Sequence, residues 1–158
     1  MKKKNAGIAL GLLCAGLFSC TDQYTICSLS KSVTLEASFY EYPASGTAVA
    51  RNASSFTLSP IFGAPTAYNQ FPNAANFALS LNPGTDSVVY RIRLSESLPA
   101  DTISFVYSTT ERNLSYECGS INVHQLFRVY ATNHTIDSIS ITHPEITNMI
   151  AENVRIFF

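Results

Sequence analysis

The sequence predicts an all-β fold, either a single antiparallel β-sandwich or an open barrel, with eight or nine short strands. Three observations support this prediction. Apolar and polar residues alternate with a period of two along most of the chain after residue 31, as in strands with one buried face. Pro, Gly, Asn and Asp residues separate these segments at short intervals. No convincing amphipathic helix lies between them.

The first two strands are predicted on either side of a turn. Residues 32–42 alternate between apolar and polar side chains, and a turn containing Pro and Gly follows at residues 43–46. Residues 55–58 begin the second strand. Pro60 is expected to end it or to place it at a sheet edge, because Pro donates no backbone hydrogen bond.

Residues 60–76 show no period and are predicted to form a long loop. They contain three Pro residues and the aromatic residues Phe62, Tyr68 and Phe71. Long loops often carry function, so these three rings are candidate ligand contacts, suited to stacking on sugar faces. The alternative is that they plug one end of the sandwich, which is the commoner role of aromatic residues in loops.

A hairpin is predicted over the next two alternating segments. Residues 77–81 and residues 88–94 flank the sequence Asn-Pro-Gly-Thr at 82–85, which is typical of a turn. The two segments are therefore expected to pair with each other.

A second hairpin is predicted further along the chain. Residues 103–107 and 114–118 keep their apolar side chains in phase about a polar tip at residues 109–113. The sequence at 116–118, Tyr-Glu-Cys, resembles the Tyr-x-Cys of an immunoglobulin strand, in which the Tyr braces a corner of the fold. The chain has no Trp, and Cys27 precedes the first strand. The resemblance therefore implies an immunoglobulin-like architecture only.

Three further strands complete the predicted fold. Residues 121–129 are expected to bury Phe127 with its apolar neighbours and to expose His124 on the polar face. Residues 136–141 and residues 154–158 also alternate, which indicates two more strands with one buried face.

The N-terminus has the three-part layout of a secretory signal. Three Lys residues at 2–4 precede an apolar stretch at residues 6–18, which is too short for the roughly 20 residues of a membrane-spanning helix. Residues 17–20, Leu-Phe-Ser-Cys, resemble a bacterial lipobox. The resemblance implies that Cys20 is acylated and becomes the mature N-terminus. The alternative is a plain secretory peptide in which Cys20 is incidental.

This interpretation divides the chain into a signal peptide at 1–19, a lipidated N-terminus and spacer at 20–31, and one β-domain at 32–158. Removal of the signal from the 158 residues leaves 139, with 7 basic and 11 acidic residues and a net charge of −4. A mildly acidic domain of this kind is a poor ligand for nucleic acid, which requires clustered Lys and Arg residues.

Two cysteines remain after Cys20. Cys27 and Cys118 most simply pair with each other in an oxidising compartment, where a bond closing 91 residues of chain stabilises the fold by up to about 4 to 5 kcal/mol. A metal pair and a reactive thiol are the rival interpretations. The sequence has no CxxC or HxxxH spacing to support a metal.

The sequence contains no recognisable catalytic set. It has no Gly-x-Ser-x-Gly elbow and no Gly-rich phosphate loop, and its histidines are not spaced as ligands. We therefore predict no catalytic residues, no metal, no cofactor and no enzymatic activity. A hydrolase whose residues converge only in the fold stays an open alternative.

Several segments together carry a resemblance to a known family. These segments are Cys27, 32–42, 81–86, 100–107, 114–119, 135–141 and 153–158. The chain is similar to a set of small, uncharacterised lipoproteins of the Bacteroidota, grouped as a domain of unknown function. The resemblance implies a tethered all-β domain without known catalytic residues.

The sequence thus predicts a non-enzymatic, lipid-anchored β-domain at the outer membrane. Its expected partners are the membrane, through the N-terminal lipid, and another envelope protein, but not nucleic acid. Residues 21–22 do not form the dense acidic run that resembles a surface-export signal, which favours a periplasm-facing orientation over surface exposure. The alternative function is a glycan-binding lipoprotein that uses Phe62, Tyr68 and Phe71.

Overall fold

The computed structural model describes residues 27–44, 46–62 and 65–158. Over these ranges the chain forms eleven strands in two mostly antiparallel sheets, which confirms the predicted all-β sandwich. The strands are β1 (Leu35–Glu41), β2 (Val49–Ala50), β3 (Ala53–Pro60), β4 (Tyr68–Ala74), β5 (Asn76–Leu79), β6 (Ser87–Arg93), β7 (Asp101–Ser115), β8 (Gly119–Ala131), β9 (Ser138–Ile141), β10 (Glu145–Ile146) and β11 (Glu152–Phe157). The described part of the chain has no helix long and apolar enough to cross a membrane.

The two sheets differ in how their strands follow the chain. Sheet A has the order β2-β1-β11-β9, with β5 also paired to β1, and sheet B has the order β10-β8-β7-β6-β3-β4. In sheet A, β1 runs parallel to β11, with Phe39 opposite Ile156. All other described strand pairs are antiparallel. The parallel pair joins segments that lie more than a hundred residues apart in the sequence.

The core lies between the facing sides of the two sheets, and aromatic rings fill its centre. The ring of Phe39 on β1 lies 5.3 Å from Phe56 on β3, 5.7 Å from Phe77 and 5.8 Å from Phe158, measured between centroids. Edge-on and tilted ring pairs of this kind add stability beyond the burial of apolar area. Because Phe56 belongs to sheet B and the other rings to the sheet A side, this cluster holds the sandwich together.

The predicted hairpin over residues 77–94 is wrong. Strand β5 pairs with β1 in sheet A, whereas β6 pairs with β3 and β7 in sheet B. The turn at residues 82–85 therefore carries the chain from one sheet to the other. It is fixed by a bond from the Gly84 N–H to Asn82 Oδ1 (2.9 Å). Alternation specifies which face of a strand is buried and does not specify which strand lies beside it.

The predicted tip of the second hairpin is also wrong. Strand β7 continues without a break through residues 109–113 to Ser115, and the turn lies at residues 116–118. The polar residues 110–113 look like a loop in the sequence because the strand is exposed there. Tyr116 is 98 % exposed in this turn, so it does not brace a corner as the tyrosine of an immunoglobulin domain does.

The predicted orientations of Phe127 and His124 are wrong as well. Phe127 is exposed and His124 is only 3 % exposed. On β8, Leu126 and Arg128 pair with consecutive residues of β7, which leaves Phe127 between them without a partner. This β-bulge inserts one residue and shifts the alternation of side chains by one position.

The segment predicted to be a long loop contains strand β4, which pairs with β3 at the edge of sheet B. Two of its residues, Gln70 and Asn73, have positive φ angles of 49° and 52°, and Pro72 lies between them. These residues interrupt the alternation, so the sequence shows no period. They also discourage the edge strand from pairing with another chain.

Candidate functional site at the hairpin arm

Strands β7 and β8 extend beyond the rest of sheet B and form a projecting hairpin, residues 107–126, which we call the arm. Strand β6 pairs with β7 only as far as Val106, whereas β7 and β8 pair with each other as far as Ser115. At about 3.3 Å per residue, the arm reaches roughly 30 Å past the last residue of the β6–β7 ladder.

One edge of the arm is open. On the β7 side, the ladder ends with a bond from the Tyr107 N–H to the Asp86 carbonyl (2.8 Å), and within the described ranges no strand pairs with that edge further on. Backbone groups alternate between the two edges of a strand. The N–H groups of Thr109, Glu111 and Asn113 therefore point outward, as that of Tyr107 does.

The other sheet edges are short or kinked. Strands β2 and β10 have two residues each and β9 has four. Strand β4 carries Pro72 and two residues with positive φ. Short strands, Pro and backbone kinks all discourage pairing with another chain. The outer edge of β8 is interrupted by β10 at His124 and Gln125 and by the bulge at Phe127. The β7 edge of the arm is thus the longest regular open edge among the strands described.

A disulfide fixes the tip of the arm to the start of the described chain. Cys27 and Cys118 are bonded, with their Cα atoms 4.9 Å apart, as the cysteine count predicts. Nearby, Asn148 Nδ2 donates to the carbonyl of Ser30 (2.9 Å). These two links hold residues 27–30 beside the arm. Cys20 and the predicted signal peptide lie outside the described residues, so their assignment stays a prediction.

The root of the arm is a buried polar contact. His124 Nδ1 lies 2.9 Å from the hydroxyl of Thr109, and the imidazole packs edge-on against Tyr107 at 5.4 Å between centroids. Burial lowers the pKa of His124, which favours the neutral ring. The Tyr107 hydroxyl donates to the Asn82 carbonyl (2.9 Å) and lies 2.9 Å from Thr85 Oγ1. These bonds tie the arm to the turn between the sheets.

A shallow groove of about 610 Å³ runs along this root, between residues 83–86 and residues 107–109. The imidazole of His124 is not part of its lining. Among the described residues, no cluster of three or more His, Cys, Asp and Glu side chains is arranged to hold a metal. The groove therefore offers hydroxyl groups, the acidic residue Asp86 and backbone atoms to a ligand.

A second polar cluster surrounds Asp101, where β7 begins. Its buried carboxylate accepts bonds from the N–H groups of His134 (2.9 Å), Thr135 (2.8 Å) and Ile136 (2.9 Å), and from the hydroxyl of Thr132 (2.7 Å). Burial alone would raise the pKa of Asp101. The four donors outweigh this effect and lower the pKa to about 2. The cluster fixes the turn that leads from β8 in sheet B to β9 in sheet A.

The structure brings together two of the three aromatic candidates. Tyr68 packs on Phe56, with 5.2 Å between the ring centroids. Its hydroxyl donates to the carbonyl of Ala78 and accepts from the N–H of the same residue. Phe71 lies 6.2 Å from Tyr68 at an angle of 80°. Phe62 is 85 % exposed, and within the described ranges it forms no ring pair with either of the other two. The three rings thus do not form one flat platform.

Residues 60–158 match a family of unknown function, DUF6452. The chain belongs to this family. The DUF6452 match begins at the last residue of β3 and includes the whole arm. Strand β1 precedes the match, although it pairs with β5 and β11 inside sheet A. The folded unit is therefore larger than the matched DUF6452 region. No curated protein and no solved structure matches the chain.

Sequence reasoning missed the open edge and both polar clusters. A signal for the edge was present, because the polar residues 109–113 lie between two alternating segments with no Gly or Pro to form a turn. Asp101 follows Pro99 in what looks like an ordinary turn, and its partners are more than thirty residues away in the sequence. Nothing local marks it as buried.

Proposed function

We propose that the protein is a non-enzymatic, lipid-anchored β-domain of the bacterial cell envelope that binds another envelope protein through the open edge of its arm. The observation that carries the binding role is the row of outward N–H groups at Thr109, Glu111 and Asn113. Such a row is a template on which an extended segment of a partner adds as a further strand. Alternate side chains of the arm would then select the partner.

The anchoring part of the proposal rests on the lipobox-like sequence that ends at Cys20. Two or three acyl chains on this cysteine would hold the domain firmly at the outer membrane, facing the periplasm, since each buried CH₂ contributes about 0.8 kcal/mol. The disulfide supports an exported location because such bonds persist in oxidising compartments. The resemblance to small lipoproteins of the Bacteroidota supports the same proposal.

The binding role is tested with a proline on the open edge. In Glu111→Pro the missing N–H is one that points outward, so pairing with β8 is kept while an added strand is blocked. Glu111→Ala is the matched control, because both variants lose the carboxylate that accepts a bond from Ser120.

We expect mild crosslinking in the native bacterium, followed by purification in detergent, to recover a defined partner with the wild type and with Glu111→Ala. Recovery of that partner with Glu111→Pro should fall at least about tenfold, because the added strand loses a few backbone hydrogen bonds. A clean monomer in all three samples, or equal recovery with both variants, would contradict the binding role.

The anchor is tested separately by intact-mass analysis of protein made in its native bacterium. The mature chain should begin at Cys20 and carry the added mass of two or three acyl groups. The Cys20→Ser variant should leave the membrane fraction. An unmodified residue 20 in the wild type would refute the anchor and leave the edge-binding test unaffected.

A second candidate function, glycan binding, is favoured by the exposure of Phe62 (85 %) and Phe71 (52 %). Exposed rings stack on the apolar faces of sugars. The test is binding of the wild type and of the double variant Phe62→Ala, Phe71→Ala to a panel of soluble oligosaccharides. Binding by the wild type alone would support this function. No binding, or equal binding by both, would exclude it.

A further inference from the structure

Four exposed apolar side chains lie in three segments on the tip side of the root of the arm. Tyr116 lies in the turn of the arm and is almost fully exposed, and Ile150 is 91 % exposed. Met149 and Leu29 are also exposed. Isolated exposed apolar residues are ordinary, but a group of them at one end marks a surface that is covered in the functional state.

Two links bring the backbone segments that carry these side chains together. The bond from Asn148 to the Ser30 carbonyl (2.9 Å) brings together the residues that adjoin its two ends, Met149 and Leu29. Consecutive Cα atoms are 3.8 Å apart, so Ile150 is only one step further away.

The disulfide adds the tip of the arm to the same group. Tyr116 lies two residues before Cys118, and Leu29 lies two residues after Cys27. The Cα atoms of the two cysteines are 4.9 Å apart. The disulfide and the hydrogen bond together gather Leu29, Tyr116, Met149 and Ile150 into what we call the apolar end.

The chain that precedes the described residues arrives at this same end. Seven steps separate Cys20 from Cys27, which span at most about 25 Å even when fully extended. A lipid on Cys20 would therefore hold the apolar end close to the bilayer. The sandwich, which lies beyond the root of the arm, would face away from it.

The charges near the apolar end are of both signs. Lys31 lies two residues after Leu29 and Glu117 follows Tyr116 in the sequence. Arg112 forms an ion pair with Glu145. An end without an excess of basic residues is not suited to electrostatic attraction by anionic lipids. Its apolar side chains and its Tyr are suited to the interfacial region, where aromatic rings with a polar group accumulate.

We infer that the apolar end, formed by Leu29, Tyr116, Met149 and Ile150, inserts into the headgroup region of the bilayer that holds the acyl chains. This inference rests on the proposed lipid anchor and adds an orientation to it. The arm then stands on the membrane, and its open edge lies in the space between the lipid surface and the sandwich. A partner that adds a strand there is an envelope protein with an extended segment close to the bilayer.

The test uses the absence of Trp from the chain. The full-length acylated protein carrying Ile150→Trp is reconstituted into vesicles of phosphatidylethanolamine and phosphatidylglycerol, with or without brominated acyl chains, which quench Trp on contact. The matched control is Phe71→Trp, an exposed ring on β4, which pairs with β3 in the part of sheet B beside the start of β7.

Flotation of the vesicles with the protein is measured in the same samples. We expect brominated lipid to reduce the emission of Ile150→Trp at least about twofold, because an interfacial side chain reaches roughly 5 to 10 Å into the headgroup and acyl boundary. High salt should leave this quenching unchanged, and the emission of Phe71→Trp should not fall.

Protein that floats but shows no quenching at position 150 would overturn the inference alone, and would mean that the apolar end meets a protein or solvent. Equal quenching of both variants would also overturn it, since it would show no preferred orientation. Protein that is acylated at Cys20 and yet does not float would overturn the anchor and this inference together.

Discussion

Replacement of Asp101 by Asn tests whether this buried carboxylate holds the turn between β8 and β9. Its Oδ2 atom accepts from the N–H groups of Thr135 and Ile136 at 2.8 and 2.9 Å, and its Oδ1 atom accepts from His134 and Thr132. Both oxygens therefore face donors. An Asn side chain would place its own NH₂ group against one of these sets, leaving buried donors without an acceptor.

The pKa shift gives the magnitude. The donors lower the pKa of Asp101 from 3.8 to about 2, and at about 1.4 kcal/mol per unit the charged form contributes about 2 kcal/mol at pH 7. Because the pKa is lower in the folded state, this contribution is complete above the unfolded value and is lost as the pH falls. About half of it is left at pH 3, and little of it is left at pH 2.

The assay is urea unfolding of the wild type and of Asp101→Asn at pH 7, 5, 3 and 2. At pH 7 the variant should be about 2 to 3 kcal/mol less stable. The difference between the two proteins should shrink by about 2 kcal/mol between pH 7 and pH 2. Asp137→Asn, which removes an exposed carboxylate, is the control and should stay within about 0.5 kcal/mol of the wild type.

Two results would refute this reasoning. One is a difference at pH 7 below about 0.5 kcal/mol, the size of an ordinary surface substitution. The other is a large difference that stays constant as the pH falls. That result would mean that the side chain matters for its shape and not for its charge.

Three further predictions concern stability. Replacement of Cys27 and Cys118 by Ser should lower the free energy of unfolding by about 2 to 4 kcal/mol in urea titrations, because a 91-residue loop is released; an unchanged midpoint would contradict a bridge in the folded protein. Burial lowers the pKa of His124, so stability should fall as the pH drops below about 6.5, and His124→Gln should lose this part of the pH profile; identical profiles would contradict it. Phe39→Ala should cost about 3 to 5 kcal/mol because it empties the centre of the aromatic cluster. The exposed substitution Val49→Ala is its control, and equal effects of the two would contradict the assignment.

The fold class and most of the core could be predicted from the sequence. The alternation that marks Leu35, Ala37 and Phe39 as one face is a direct consequence of strand geometry, and all three are buried. The same holds for Ile103 and Phe105 on β7. These predictions depend only on residues two positions apart, so they need no knowledge of the rest of the fold.

Strand partners could not be predicted in the same way. Leu79 and Ile92 are both buried, yet one belongs to sheet A and the other to sheet B. The parallel pair of β1 and β11 joins distant segments, and no local pattern marks it. Phe127 was misplaced because a single inserted residue reverses the faces of a strand without changing its composition.

The candidate site was predicted only in part. The pairing of Cys27 with Cys118 could be predicted because only two cysteines follow Cys20, and two thiols pair readily in an oxidising compartment. The open edge could not be predicted from the sequence. Residues 109–113 are polar because they lie in water, and the residues of a turn are polar for the same reason. Only the position of β6, which stops at the level of Val106, shows that one edge of β7 has no partner strand beyond that residue.

The parallel pairing of β1 with β11 bears on when the protein can fold. The Glu36 N–H donates to the side chain of Asn153, 117 residues further along the chain, and the Tyr40 hydroxyl donates to Glu152, 112 residues further along. The centre of sheet A therefore cannot assemble until nearly the whole domain has left the ribosome. Folds dominated by such distant contacts have high contact order and form slowly. Until β11 has been synthesised, one edge of β1 therefore stays unpaired, so the assembly of sheet A follows the synthesis of the last strand.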